Sequence, residues 1–156
     1  MICLLPDAAL SLAEEQRRKI ACILVLVAAA DGALVREEIS AIEAAMGAMM
    51  LHPESREEVR QLLTQPPDLE SVIDGMEPSA IRIALRDSAL LASVDGDYDD
   101  SELWALRRIC DAGGLSEHEL SMILDWVSDS WKLSASGRSI ISMPMPGDCL
   151  LYTSDA

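Results

Sequence analysis

Apolar residues recur along this chain at intervals of three and four, and few stretches alternate in the manner of a strand. The pattern predicts helices throughout. The first strong one covers about residues 12 to 30. It begins polar on one side (Glu14, Glu15, Arg17, Arg18, Lys19) and ends almost without polar residues from Ile20 to Ala30. That gradient predicts a helix that enters from the surface and finishes in the centre of the protein. Ser11 and Glu14 have capping-box spacing before it, and Gly32 can take the left-handed conformation that stops it.

A second helix follows over about 36 to 50, with Ile39, Ile42, Ala45, Met46 and Met49 at the helical period. His52-Pro53 breaks it and starts a third helix, roughly 54 to 64, burying Val59 and Leu62-Leu63. After Gln65-Pro66-Pro67, Asp68 can cap a short helix through Leu69, Val72, Ile73 and Met76. Glu77-Pro78 opens a second central helix over about 78 to 94. Its apolar half contains one carboxylate, Asp87. Asp99 and Glu102 form the capping pair of the next helix, which Ala112-Gly113-Gly114 ends. A last helix begins at Ser116-Glu117-His118-Glu119 and carries a buried stripe through Leu120, Ile123-Leu124, Val127 and Trp131. From Lys132 the chain turns small and polar, then Pro-rich, so residues 132 to 156 read as an irregular tail. Residues 1 to 10 read as a loosely attached lead-in. The expectation is an all-α fold, one compact domain over 11 to 131 with about six or seven helices.

Two stretches of this pattern match. Ala28-Ala29-Ala30-Asp31-Gly32 leads to Glu38 and Ile39, and Ala92-Ser93-Val94-Asp95-Gly96 leads to Glu102 and Leu103. At the same offset Met46 falls on Cys110 and Leu26 on Leu90. The chain therefore reads as two helical hairpins, about 12 to 50 and 78 to 112. Neither could bury its apolar face alone.

Charge narrows the function. With 27 acidic and 12 basic residues the formal charge is -15, and no Lys/Arg cluster offsets it. Binding to a nucleic-acid backbone or insertion at an anionic membrane surface is disfavoured. Cations and protein partners suit such a surface better. Four cysteines (Cys3, Cys22, Cys110, Cys149) lack metal-ligand spacing, and the start Met1-Ile2-Cys3-Leu4-Leu5-Pro6 has no secretory pattern. Reduced thiols in a cytoplasmic protein are the expectation. The apolar run from Ala21 to Ala30 is too short to span a bilayer.

The richest candidate chemistry is the second turn, with Asp95, Asp97, Asp99, Asp100 and Glu102. Clustered carboxylates repel one another unless something positive compensates, and oxygen-rich clusters suit calcium, magnesium or manganese. Asp95, Asp97 and Asp99 copy the first three ligand positions of an EF-hand loop, but the sixth position is Asp100 rather than Gly and the twelfth is Leu106 rather than Glu. A non-standard site in which Glu102 folds back from the helix fits better. An ordinary structural account covers part of the cluster: Asp-Gly is a turn, Asp99 an N-cap and Glu102 its partner. It leaves Asp97 and Asp100 unexplained. The first turn keeps Asp31, Glu37 and Glu38 but has Ala33 and Val35 in place of Asp97 and Asp99, which predicts a weaker or absent site.

Enzymatic chemistry has less support. His52 and His118 have no context that marks a base for a nucleophile. A metal-dependent hydrolase using Asp87, Asp95 and Glu102 is the enzymatic alternative, and a metal-independent interaction or scaffold domain is the structural one. No organic cofactor is expected. The abundance of apolar residues for a small domain leaves room for a homodimer.

The two turns, Ala30-Asp31-Gly32 with Glu38 and Val94-Asp95-Gly96 with Glu102, resemble those of the tellurite-resistance TerB and TerB-like family. The resemblance runs in character from about residue 14 to 131. It includes the alanine-rich helix before each Asp-Gly and the later Gly113-Gly114-Leu115-Ser116-Glu117-His118-Glu119-Leu120. It implies an all-helical fold of two hairpins and a non-enzymatic intracellular role in metal-oxyanion and general stress responses. It also implies divalent-metal ligands at Asp31 and Glu38 in the first turn and at Asp95, Asp97, Asp99 and Glu102 in the second. The implied partners are membrane-linked or calcium-binding proteins of the same resistance system. The ligand-poor first turn departs from a symmetric pair of sites.

Overall fold

A computed structural model describes residues 7–30, 32, 34–93 and 98–142 of the chain. Eight helices account for most of them: α1 Asp7–Leu10, α2 Glu14–Ala28, α3 Arg36–Ala48, α4 Pro53–Leu62, α5 Leu69–Ile73, α6 Pro78–Ala92, α7 Asp100–Ala112 and α8 Glu117–Ile141. There is no strand among the described residues.

The centre is the pair α2 and α6, which share the largest interface in the fold. α2 is apolar nearly all round from Ile20 onward and α6 from Ala89 onward, and a helix end of that kind is stable only when other elements cover it. Ile20, Ile23, Leu24, Leu85, Leu90 and Leu91 are buried there. Helices α3, α4, α5 and α7 cover α2, while α1, α3, α7 and α8 cover α6. The result is one continuous hydrophobic cluster.

Helix boundaries keep one register across the two halves. Helices α6, α7 and α8 begin 64 positions after α2, α3 and α4 respectively (14 to 78, 36 to 100, 53 to 117). Helices α2 and α6 are each 15 residues long, and α3 and α7 are each 13.

Four sequence expectations change. The lead-in contains α1, whose Ala9 is fully buried and which packs on α6. Ser11 does not cap α2: its hydroxyl donates to Ala8 O at 3.1 Å, and α2 starts at Glu14 without a side-chain cap. Glu14 instead accepts the His52 amide at 2.8 Å. Finally, α8 runs ten residues past Trp131 to Ile141, where the fall in apolar content suggests irregular chain. Arg138 lies in its last turn, where a cation complements the helix dipole. The remainder of the tail lies outside the described residues. Ile39, expected on the inner face of α3, is exposed.

The segment between α5 and α6 is tied to α2 by polar contacts. Gln16 is buried, donates to Gly75 O at 3.0 Å and accepts from the Glu77 amide at 2.8 Å. One side-chain amide thereby satisfies two backbone groups that would otherwise lose hydrogen bonds on burial. Lys19 donates to Asp74 O beside it.

Candidate functional site at the acidic turns

Each acidic turn leads into a helix whose first turn holds a buried glutamate. Glu38 in α3 and Glu102 in α7 are 8% and 7% exposed, low values for carboxylates. Glu38 Oε2 accepts from the Val35 amide at 2.9 Å, and Glu102 Oε2 accepts from the Asp99 amide at 3.0 Å. Position and role are therefore the same in both halves. An anionic group here also faces the positive end of the helix dipole.

The two starts differ in the reciprocal bond. Asp99 Oδ1 accepts from the Glu102 amide at 2.8 Å, completing a capping box. Val35 has no side-chain acceptor, so α3 has only the glutamate half. Asp99 and Glu102 are thus brought together by the cap, which commits one oxygen of each. Asp31, Asp95 and Asp97 lie outside the described residues. Among the described residues no group of three or more His, Cys, Asp or Glu side chains is arranged to hold a metal ion.

The second turn is anchored on both sides by residues that the carboxylate pattern does not reveal. On its entry side Ser93 is buried. Its hydroxyl donates to Leu90 O at 2.8 Å and accepts from the Trp131 indole Nε1 at 2.6 Å. On its exit side the half-buried Tyr98 donates to Ala89 O at 3.1 Å. Burial pushes the Tyr98 phenol up to about 12. The corresponding first-turn positions are Ala29 and Leu34, which have no side-chain polar group. A tyrosine within an acidic run and a tryptophan late in the last helix were the only sequence signals for this anchoring.

Asp87 is 4% exposed and accepts from Arg86 Nε at 2.7 Å. This guanidinium belongs to the residue next to it in the chain. A buried carboxylate needs such a partner, because an isolated charge in the interior is strongly disfavoured. The thiols of Cys22 and Cys110 are free and buried, and burial raises the pKa of both, which disfavours the reactive thiolate. Of the two histidines, His52 is the N-cap of α4, with Nδ1 accepting from the Glu54 amide at 3.3 Å.

Among the described residues no helix is long and apolar enough to cross a membrane. No family model, curated protein or solved structure matches the chain.

Proposed function

We propose that this chain is a non-enzymatic, acidic binding module of two repeated helical hairpins, TerB-like in type, which takes a divalent cation at its second turn and acts through protein partners. What supports the repeat is the common register of α2–α3 and α6–α7. The observation that carries the functional reading is the surplus of carboxylates in the second turn, Asp95, Asp97 and Asp100, beyond the Asp99 and Glu102 that the cap uses. The cap uses Glu102 Oε2 and Asp99 Oδ1, so Asp95 and Asp97 supply most of the oxygen donors for the ion. An all-oxygen donor set of this kind suits calcium, magnesium or manganese. The first turn, which keeps Asp31, Glu37 and Glu38 but has Ala33 and Val35 in place of Asp97 and Asp99, binds more weakly or not at all. A cytoplasmic role in metal-oxyanion or general stress response rests on the resemblance of the two turns.

Calorimetric titration of calcium, magnesium, manganese and zinc tests the reading, on the wild type and on Asp95→Asn/Asp97→Asn. Saturable binding by the wild type and its loss in the variant is the expected result. Equal binding by both, or by neither, overturns it.

A metal-independent interaction domain is the second reading, favoured by the structural duty that Asp99 and Glu102 already perform as caps. An ion that binds only the native state raises its stability, by about 2.7 kcal/mol at a hundredfold excess over Kd. A melting temperature unmoved by any of the four ions selects this second reading.

A further inference from the structure

Helix α8 is held to the body by its first half and by Trp131. Leu120 and Val127 are buried, and the Trp131 indole reaches Ser93. From Lys132 to Ile141 every residue except Ser134 is exposed. Those ten residues include three serines and a glycine, which are weak helix formers. Isolated helices shorter than about 12 residues are marginal in water even with good formers. The extension therefore calls for a packing partner.

Its exposed side chains describe what that partner is. Met122, Trp126, Leu133 and Ile140 are 57%, 40%, 76% and 65% exposed. Their spacing of four, seven and seven residues sets them on one line along the helix, turned away from Leu120 and Val127. The line is about 27 Å long at 1.5 Å per residue. Charge along α8 is split. Glu117, Glu119, Asp125 and Asp129 lie before Ser130, while the residues after it carry only Lys132 and Arg138. Such a helix is complementary to itself when reversed, and opposed to itself when parallel.

We propose that α8 pairs antiparallel with α8 of a second copy of this chain, centred near Ser130. That arrangement sets Met122 and Trp126 of one copy against Ile140 and Leu133 of the other. It brings Lys132 beside the second copy's Asp129, while Arg138 lies on the opposite side of the helix from the apolar line. Asp129 lies on the apolar line itself and is already bonded by Lys132 of its own helix at 2.9 Å. In the pair it meets a second lysine, which fixes the register in the way a polar seam position does in coiled coils. The contact is isologous and closes as a dimer. It is independent of the cation reading above, and its readout is taken in EDTA so that failure of one leaves the other standing.

Sedimentation equilibrium of the full chain in EDTA, over a range of concentrations, tests it. The wild type is expected to pass from monomer to dimer. Leu133→Asp/Ile140→Asp is expected to weaken the dimer at least about tenfold, or 1.4 kcal/mol, while the thermal transition of the body is kept. Lys132→Glu alone, and Asp129→Lys alone, are each expected to weaken it several-fold. Both changes together are expected to restore it. A wild type that stays monomeric, or a dimer indifferent to Leu133→Asp/Ile140→Asp, overturns the proposal. A dimer unchanged by either charge reversal points to a parallel pair or another face and overturns it too. Leu150→Asp/Leu151→Asp is expected to have no effect. Dimerisation appearing only in that variant identifies the chain's own C-terminal segment as the occupant and also overturns the pairing.

Discussion

The turn from α3 into α4 and the turn from α7 into α8 reverse the chain in the same way with different residues. Each closes with the same pair of backbone bonds. Leu51 N donates to Met46 O at 3.1 Å in the first, and Leu115 N donates to Cys110 O at 3.0 Å in the second. Each places the preceding residue in the left-handed region, Met50 at φ 53° and Gly114 at φ 68°. The second turn is made of suitable local parts, with glycine at the left-handed position and a Ser116–Glu119 capping box behind it. The first has a methionine where glycine belongs and a histidine cap that lacks the reciprocal glutamate bond of the second. Arg56 of α4 donates Nε to Leu51 O at 2.9 Å, and side chains of α2 make up the rest of the difference. Arg17 Nη1 donates to Met49 O at 2.6 Å, and Glu14 receives the His52 amide. The same geometry can thus be specified locally or held from α2, and the halves of this protein use one solution each.

The contrast is broken most sharply at Arg17. Its guanidinium is mostly buried and also pairs with Glu14 at 3.0 Å. Arg17→Ala strips the Met49 carbonyl of a charged donor, and hydrogen bonds of that kind contribute roughly 1.5–3 kcal/mol. A loss of about 2 kcal/mol in urea unfolding is expected, with the α3–α4 amides losing protection from hydrogen exchange before those of α7–α8. A loss below about 0.5 kcal/mol, the level of an ordinary surface change, would mean that the first turn is as self-sufficient as the second. The Glu14 carboxyl is held below its usual range chiefly by the His52 amide. Its contribution is therefore full above its unfolded pKa and fades as pH falls through the folded value. Acid should therefore loosen this clamp from the Glu14 side.

A smaller difference separates the starts of α3 and α7. Asp99 completes a capping box that Val35 cannot. Val35 is 41% exposed, so an aspartate can be placed there without burying a charge. Val35→Asp is expected to stabilise the protein by about 1 kcal/mol, and Asp99→Ala to destabilise it by about the same amount. Opposite shifts of the urea midpoint with an unchanged slope would establish the equivalence of the two positions. A destabilising Val35→Asp would show that the first turn holds its N-cap residue in a different geometry.

These two comparisons explain which parts of the fold were legible in the sequence. Periodicity and local caps locate α2 to α7 to within a few residues, because amphipathic spacing, Pro53, Pro78, Asp99 and Ser116 act over one turn of chain. The common offset of the two halves is legible for the same reason. What escapes is whatever depends on distant partners. Glu14 looked like half of a capping box with Ser11, yet it serves His52 from 38 positions away. The hold of Trp131 on Ser93 spans a similar distance and decides how the second acidic turn is anchored. Helix α8 beyond Trp131 was missed because its composition argues against a helix, and nothing local marks the continuation. Of the candidate ligands, the pattern brought out Asp99 and Glu102 as the capping pair of α7, where the structure has them. It did not reveal that Glu38 makes the matching bond to the Val35 amide at the start of α3.

The subtlest test lies at Met50 itself. Its side chain is 69% exposed, so little packing is lost on removing it. A non-glycine residue at φ 53° bears a steric cost that glycine avoids, of about 1 kcal/mol. Glycine in turn gives back part of that gain through the greater freedom of the unfolded chain, roughly 0.5–1 kcal/mol. The two terms nearly cancel for an ordinary residue, and the sign then depends on how firmly the turn is held from outside. With Arg17 in place the left-handed conformation is enforced in the native state and Met50→Gly relieves it, for an expected gain of about 0.5 kcal/mol. In an Arg17→Ala background the turn can relax around Met50, so the same substitution should gain less. A double-mutant cycle by urea unfolding reads the coupling directly, since residues sharing one turn are expected to depart from additivity by about 0.5 kcal/mol or more. Strict additivity would show that the arginine holds the carbonyl of Met49 without restraining the residue that follows it.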